Sequence, residues 1–469
     1  MSSGHDQGRH PGVTADQIFG GQTREPYHLA LRAYVWGYPL VEAARIRMAI
    51  TDTDGTSRCS PVSTMAPLNN WGHSRLPADP SRRVGVGPSV DLLYSSARLD
   101  LADGPFVFRA PDFGGRYYTF QMAFADTSAE VSLGQRTHGG QLPVVLIRGP
   151  GDSTPAPPRA LIVDSPTRYF SILGRILFRP EDPDDLGTVR SLQDRLRLDP
   201  LGGVPASESG RTERRPRRPP GGVSGRQAPS LQFLEELGDV LRDWVIWPEE
   251  HQLVSSFAEI GLTAEHGFQP SRLSPAVSEQ VLRGLIHGET LVREKSLNLG
   301  TNRRGWTINY KGARFGRDYL LRAGVARDQI YVTVPEEALY PVARVDATGE
   351  PLDGARGYRL RFEADDLPPV AGFWSVTLYD DDGFLVANPL NRYSVSDRIP
   401  GLMLGDEGGL DILIQADQVA DGPGKLWLPA CKGPFYLMMR LYVPRAPALD
   451  GSWSPPAIVR LPLTVARAT

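Results

Sequence analysis

The sequence predicts an α+β protein with two antiparallel β-rich domains and helical segments between them. Three observations lead there. Short β-rich runs fill residues 84–164 and return beyond residue 357. Amphipathic runs of helical spacing occupy residues 231–300. Glycine (49) and proline (42) are both frequent, which favours many short strands and turns over long helices.

Taken in order, residues 1–25 read as a disordered tail. A helix is expected from about Pro26 to Ile50, where Ala, Leu, Val and Ile recur at helical spacing. Arg32, Glu42, Arg45 and Arg47 make it amphipathic rather than a membrane span. The runs "SVDLLYSSARLDL", "GPFVFRAPD", "GRYYTFQMAFAD" and "LPVVLIRGPG" are separated by Gly, Pro and Asp, and read as an antiparallel sheet. "TRYFSILGRILF" and "VRSLQDRLRLDPL" read as helices closing a first domain, residues 26–201. Residues 202–230 hold Pro, Gly, Ser and Arg with almost no apolar side chain. They bury too little surface to offset chain ordering, and a disordered linker is expected. Residues 231–325 read as a helical connecting segment, with "DYLLRAGVAR" its last helix. Residues 326–469 read as a second β-domain, in which "YDDDGF" signals a hairpin.

Composition excludes several functions. At 469 residues the chain is long enough for two or three domains. A net charge of −3 offers no global attraction to nucleic acid or acidic membranes, so neither is expected as a partner. Only Lys295, Lys311, Lys425 and Lys432 are lysines, and none sits in a P-loop setting. No glycine fingerprint for a dinucleotide is present, and a serine-hydrolase elbow is absent too. Cys59 and Cys431 form neither a disulfide framework nor a metal knuckle. No cofactor and no metal are expected. The first 26 residues lack an apolar signal core, so a cytoplasmic location is expected. A homo-oligomer is compatible with all of this.

Several stretches together resemble a known family. "AYVWGYPLV", "NNWGHSR", "PSVDLLYSSARLDL", "GPFVFRAPDFGGRYYTFQMAFADT" and "LIRGPG" are similar to domain of unknown function 1254. "DYLLRAGVA", "PEEALYP", "GFWSVTLYDDDGFLVANPLNRYSVSDR", "LDILIQ" and "GPFYLMMRLYVPR" are similar to domain of unknown function 1214. The resemblance runs in order over most of residues 27–460. It implies two β-rich domains of sandwich or jelly-roll type with helices packed between them. The family's usual Pro-Asn-x-Asp-Thr-Leu-Tyr-Ser reads Pro88-Ser89-Val90-Asp91-Leu92-Leu93-Tyr94-Ser95 here, without the Asn and Thr side chains.

Two stretches concentrate chemistry. In the first, His73 is read as a loop histidine able to move protons near neutrality, with Trp71 and Arg75 beside it. Asp91 and Tyr94 follow, and Arg116 lies further along. On a strand, Tyr94 points away from residues 91, 93 and 95, so Asp91 and Tyr94 meet only across a twist or bulge. In the second, "NPLNRYSVSDR", Asn388, Asn391, Arg392, Tyr393 and Arg398 form a loop able to grip an oxygen-rich anion. Each stretch also has a structural reading, as a polar corner stitched by its own side chains. The expectation is a cofactor-independent acid–base enzyme of hydrolase, lyase or cyclase type acting on a small polar molecule. His73, Asp91 and Tyr94 would be catalytic, in a pocket walled by the two stretches. The alternative is a non-catalytic carbohydrate or small-molecule binding protein.

Overall fold

The computed structural model describes residues 14–462 except 22, 53–59, 83–85, 203–229, 400–401 and 403. Most of the expected linker, all of residues 1–13 and Cys59 lie outside the described residues. Within the expected tail, Thr14 caps a short helix, Ala15–Phe19, through a capping box with Gln17, and Ile18 is buried. That part of the tail is therefore ordered.

Among the described residues, the N-terminal half holds nine strands. They are β1 (Trp71–His73), β2 (Leu92–Asp100), β3 (Phe106–Arg109), β4 (Tyr118–Phe124), β5 (Val131–Gly134), β6 (Val145–Arg148), β7 (Leu161–Asp164), β8 (Tyr169–Leu177) and β9 (Arg197–Pro200). One sheet runs β1-β2-β8-β4-β5 and a second runs β7-β6-β3-β9. Pairing is antiparallel throughout except β6 with β7. Leu93, Phe108, Phe120, Val145 and Ile172 form one apolar core contributed by both sheets.

"TRYFSILGRILF" is not a helix. It forms β8, with Phe170, Ile172 and Ile176 alternating into the core. An apolar run this short fits either period, and the pairing with β2 and β4 decides it. The next run does begin as a helix, Asp185–Asp194, and then turns into β9.

Between the halves lies a helical bundle. The helix Pro26–Thr51 is not amphipathic over its first half, where residues 29–41 are all buried. It packs against the helix Pro275–Leu297, where Gly284 and Gly288 leave no room for a side chain against Tyr27 and Tyr34. The helices Gln232–Leu241 and Tyr319–Asp328 add to the same core. A small hairpin, β10 (Leu262–Thr263) and β11 (Gly267–Phe268), closes one side. No helix among the described residues is long and apolar enough to cross a membrane.

The C-terminal half starts earlier than residue 326. Its strands are β12 (Thr301–Arg303), β13 (Trp306–Ile308), β14 (Ala338–Leu339), β15 (Val342–Ala343), β16 (Tyr358–Phe362), β17 (Trp374–Asp380), β18 (Ser394–Ser396), β19 (Leu410–Gln415), β20 (Lys425–Pro429), β21 (Phe435–Tyr442) and β22 (Ile458–Arg460). One sheet runs β12-β13-β15-β21-β17-β18, with β14 also on β21, and the other runs β20-β19-β16-β22. They share a core built from Trp306, Leu360, Val376, Ile412 and Leu437. The molecule is thus α+β and mostly antiparallel, with two sheets over one core in each half.

Candidate functional site

Strand periodicity decides which expected residues can meet. On β2, Leu93 and Ala97 face the N-terminal core. Ser95 lies between them on that face, and its partner across the ladder is His73. His73 is therefore in a strand, not a loop. Its Nδ1 lies 2.9 Å from the Ser95 hydroxyl, and its ring stacks on Trp71, which packs against Phe108 and Phe120. The Gln193 amide donates to Ser95 Oγ as well, at 3.2 Å. Burial first, and then the Arg75 charge, pull the His73 pKa down to about 4. Ser95 is fully enclosed and out of reach of a substrate. Arg75 is spent on Asp194, Gln193 and the Arg190 carbonyl.

Tyr94 points to the other face of the same sheet. The sequence had to bring His73, Asp91 and Tyr94 to one pocket, and alternation separates His73 from Tyr94. The loop before β2 does place Asp91 and Tyr94 together. The Tyr94 hydroxyl accepts from the Ser89 amide at 2.9 Å, and Ser89 Oγ donates to Asp91 at 3.1 Å. Asp91 then reaches the C-terminal half, accepting from Ser375 Oγ at 2.7 Å and from Arg398 at 3.3 Å. Arg398 also donates to the Phe178 carbonyl and covers the Phe373 ring.

The second stretch divides in the same way. Arg398 faces the other half, whereas Arg392 is held by Asp421 and the Trp427 carbonyl within its own half. Asn388 spends its amide on the Val386 and Arg392 carbonyls and accepts from the Leu390 and Arg392 amides. Asn391, in the left-handed region at φ 49°, accepts from Tyr393. The loop is stitched by its own side chains, so Arg392 and His73 share no partner. Arg116 forms a buried two-pronged pair with Asp185; burial works to raise the Asp185 pKa, but Arg116 and the Arg179 amide together hold it lowered. Its task is structural.

What the two halves do bring together was missed. On β4 and β8 the face shared with Tyr94 carries Thr119, Gln121 and Arg175. On β17 and β21 the face turned away from the core carries Ser375, Thr377, Tyr379, Arg440 and Tyr442. Thr119, Gln121, Ser375, Thr377 and Arg440 are all at most 2% exposed although they are polar. The two faces cover each other. Arg440 donates to the Gly87 carbonyl at 2.6 Å, and Tyr379 donates to the Pro88 carbonyl at 2.6 Å. Tyr117 donates to Glu337 at 2.8 Å, and Gln121 to the Val332 carbonyl at 2.7 Å. Tyr340 sits in the middle, touching the group of Tyr379 and Met438 and that of Tyr117, Phe373 and Tyr442. Tyr94, Arg175 and Tyr340 keep accessible surface. Burial raises the Tyr340 phenol pKa, against the pull of Arg175 and Arg440.

This seam was legible in one respect. The polar phase of "FWSVTLYD" and "FYLMMRLY" holds Ser, Thr, Tyr and Arg but no Lys or Glu, which is unusual for a solvated face. Two open surface clefts, of about 600 Å³ and 200 Å³, lie elsewhere and contain none of the expected site residues.

Comparison with known proteins agrees with the architecture. The chain matches a family model described as protein of unknown function DUF1254 over residues 68–200, and another described as protein of unknown function DUF1214 over residues 337–446. No functionally curated protein matches it. A crystal structure of the VPA0106 protein from Vibrio parahaemolyticus is similar over 93% of this chain and 100% of its own, at 22% identity and TM-score 0.63, which supports the fold. A second, of an uncharacterised protein from Burkholderia cenocepacia, covers 95% of this chain and 98% of its own at 12% identity and TM-score 0.42. The residues of the seam come from both matched regions, β2, β4 and β8 from the first and β17 and β21 from the second, and the chain belongs to the family that joins DUF1254 to DUF1214.

Proposed function

We propose that the protein is a cofactor-independent acid–base enzyme, of hydrolase, lyase or cyclase type, acting on a small oxygenated molecule at the seam between the halves. One observation carries this reading. Two sheet faces rich in Tyr, Arg, Ser and Thr are buried against each other, where apolar faces would hold the halves together at lower cost. Tyr94 is assigned the proton transfer. Its oxygen accepts from the Ser89 amide, so its own proton is directed elsewhere. Asp91 acts as a positioning residue, fixing Ser89, Ser375 and Arg398 at one rim. The same reading takes each half as a jelly-roll-like sandwich with its outer sheet face turned into a wall of the site, and places the protein in the cytoplasm.

The test is substrate depletion. Purified full-length protein is incubated with a pool of small hydroxy, keto and carboxy compounds, and consumption is followed by mass spectrometry. At least one compound should be consumed by the wild type and about 100-fold more slowly by Tyr94→Phe, a typical loss for a proton-transfer group. Saturable binding without consumption would favour the binding-protein reading. Equal rates in the two proteins would remove Tyr94 from the role.

A further inference from the structure

We infer that the seam binds a small oxyanion, a carboxylate or phosphate group, through Arg175 with Tyr340 and Tyr442 beside it. This deepens the proposed function and rests on its placing the site at the seam.

The seam holds unmatched positive charge. Arg98, Arg175 and Arg440 lie on the facing surfaces of the two halves, and none makes an ion pair among the described residues. Arg175 donates to Gln121 Oε1 at 2.8 Å and to the Tyr331 carbonyl at 3.4 Å. Arg98 is 6% exposed and lies over the Tyr331 ring. It donates to the Ala97 carbonyl at 3.4 Å, and its Nε is buried without a partner. Arg440 is 2% exposed and is met by Thr377, Tyr379 and the Gly87 carbonyl, all neutral. Enclosing a cation without a counter-charge is costly, and three on one seam compound the cost.

The carboxylates nearby are spent. Asp91 is taken by Ser89, Ser375 and Arg398, and Glu337 by Tyr117 and Arg136. What remains unsatisfied is a guanidinium N–H and hydroxyls that can donate. The hydroxyls of Tyr340 and Tyr442 make no hydrogen bond among the described residues, and burial holds both phenols in the protonated form. Thr119 Oγ1 is buried without a partner. A site with surplus donors and positive charge selects acceptors that carry negative charge. Arg175 keeps accessible surface, which makes it the group that touches the ligand. Arg440, engaged on both amino groups, acts through its field.

Malonate, inorganic phosphate and glucose are titrated separately into the full chain at low ionic strength, followed by calorimetry. The wild type should bind malonate or phosphate at one saturable site. Arg175→Gln should weaken that binding by about 10-fold or more, the loss of one charge-assisted contact. Tyr340→Phe keeps the ring that packs the seam and should weaken it by roughly 3–10-fold with the melting temperature unchanged. It serves as the check if Arg175→Gln fails to fold. Malonate alone binding identifies a carboxylate ligand, and phosphate alone identifies a phosphate. No saturable binding of either anion, or equal binding by wild type and Tyr340→Phe, overturns the inference. Glucose binding that is lost in Tyr340→Phe, with neither anion bound, would overturn the oxyanion while sparing the seam as a small-molecule site. No ligand binding together with no substrate depletion would remove both.

Discussion

The two faces of the sheet β1-β2-β8-β4-β5 are both buried and chemically opposite. One carries Leu93, Phe120 and Ile172 into the N-terminal core. The other carries Tyr94, Thr119, Gln121 and Arg175 against the C-terminal half. Burial on the first face stabilises by removing apolar surface from water. On the second it is offset by desolvating hydroxyls, amides and guanidinia, which then need partners. A protein that only had to join its halves would do so more cheaply with Leu and Val. The difference separates the part of the sheet that folds the domain from the part available for chemistry.

The largest losses of stability are expected at the structural anchors. Arg116→Ala leaves Asp185 buried and uncompensated at the edge of the N-terminal half. A loss of about 3–5 kcal/mol in denaturant unfolding is expected. Phe120→Ala, on the apolar face, should cost a similar ~3–5 kcal/mol by opening a cavity. By contrast Tyr340→Phe, on the polar seam, removes a hydroxyl without a hydrogen bond and should change stability by less than about 1 kcal/mol. Equal losses at Phe120 and Tyr340 would mean that the two faces do the same work.

The pH dependence bears on the same contrast, because the apolar core and the rim of the seam hold groups shifted in opposite directions. His73, behind the apolar face, has its pKa lowered to about 4 by burial and Arg75. The unfolded chain then binds the proton that the folded chain refuses. The His73 contribution is complete above its ordinary value near 6.5 and is lost as pH falls toward 4. Asp397, beside Arg398, is pushed up to about 6 by desolvation from the groups packed around it, although the residue is exposed. Its contribution is complete below about 4 and fades as pH rises through 6, weakened by screening. Unfolding measured from pH 7 to pH 4 should therefore show a fall in stability that His73→Gln reduces and Asp397→Asn makes steeper. A His73→Gln profile parallel to the wild type would show that the folded chain takes up the His73 proton as readily as the unfolded one.

The sequence showed more of the scaffold than of the site. Periodicity placed β2, β4, β17 and β21, and the alternation along β2 already turned Tyr94 away from residues 91, 93 and 95, whereas His73, read as a loop residue, was given no face. Alternation alone does not say whether a polar face meets water or another polar face, because that depends on which strands from distant parts of the chain come to oppose it. Asp91 and Arg398 were legible as chemistry and do meet, 307 residues apart. Arg175 was hidden because "TRYFSILGRILF" read as a helix, and a helix would have sent its side chain elsewhere. Tyr340 lay in an irregular stretch whose period carries no facing information.

The smallest effect is expected at Arg392, which the sequence offered as a grip for substrate. In the structure its guanidinium forms a pair with Asp421 at 2.8 Å and donates to the Trp427 carbonyl. Both partners belong to the C-terminal half, and Asp421 remains about a third exposed. Exposed pairs of this kind contribute roughly 0–1 kcal/mol, since solvent screens the charges and ordering two side chains opposes the gain. Burial works to raise the Asp421 pKa, but the hydrogen bonds from Arg392 and from the Trp427 amide hold it below the usual carboxylate range. Arg392→Ala should therefore lower stability by less than about 1 kcal/mol near neutral pH, with the difference closing as acid protonates Asp421. Anion binding at the seam should be unchanged, because Arg392 points to a different surface from Arg175. If Arg392→Ala instead abolished malonate or phosphate binding while the fold stayed intact, the ligand would sit on the loop that the sequence first suggested, and the seam would be an interface alone.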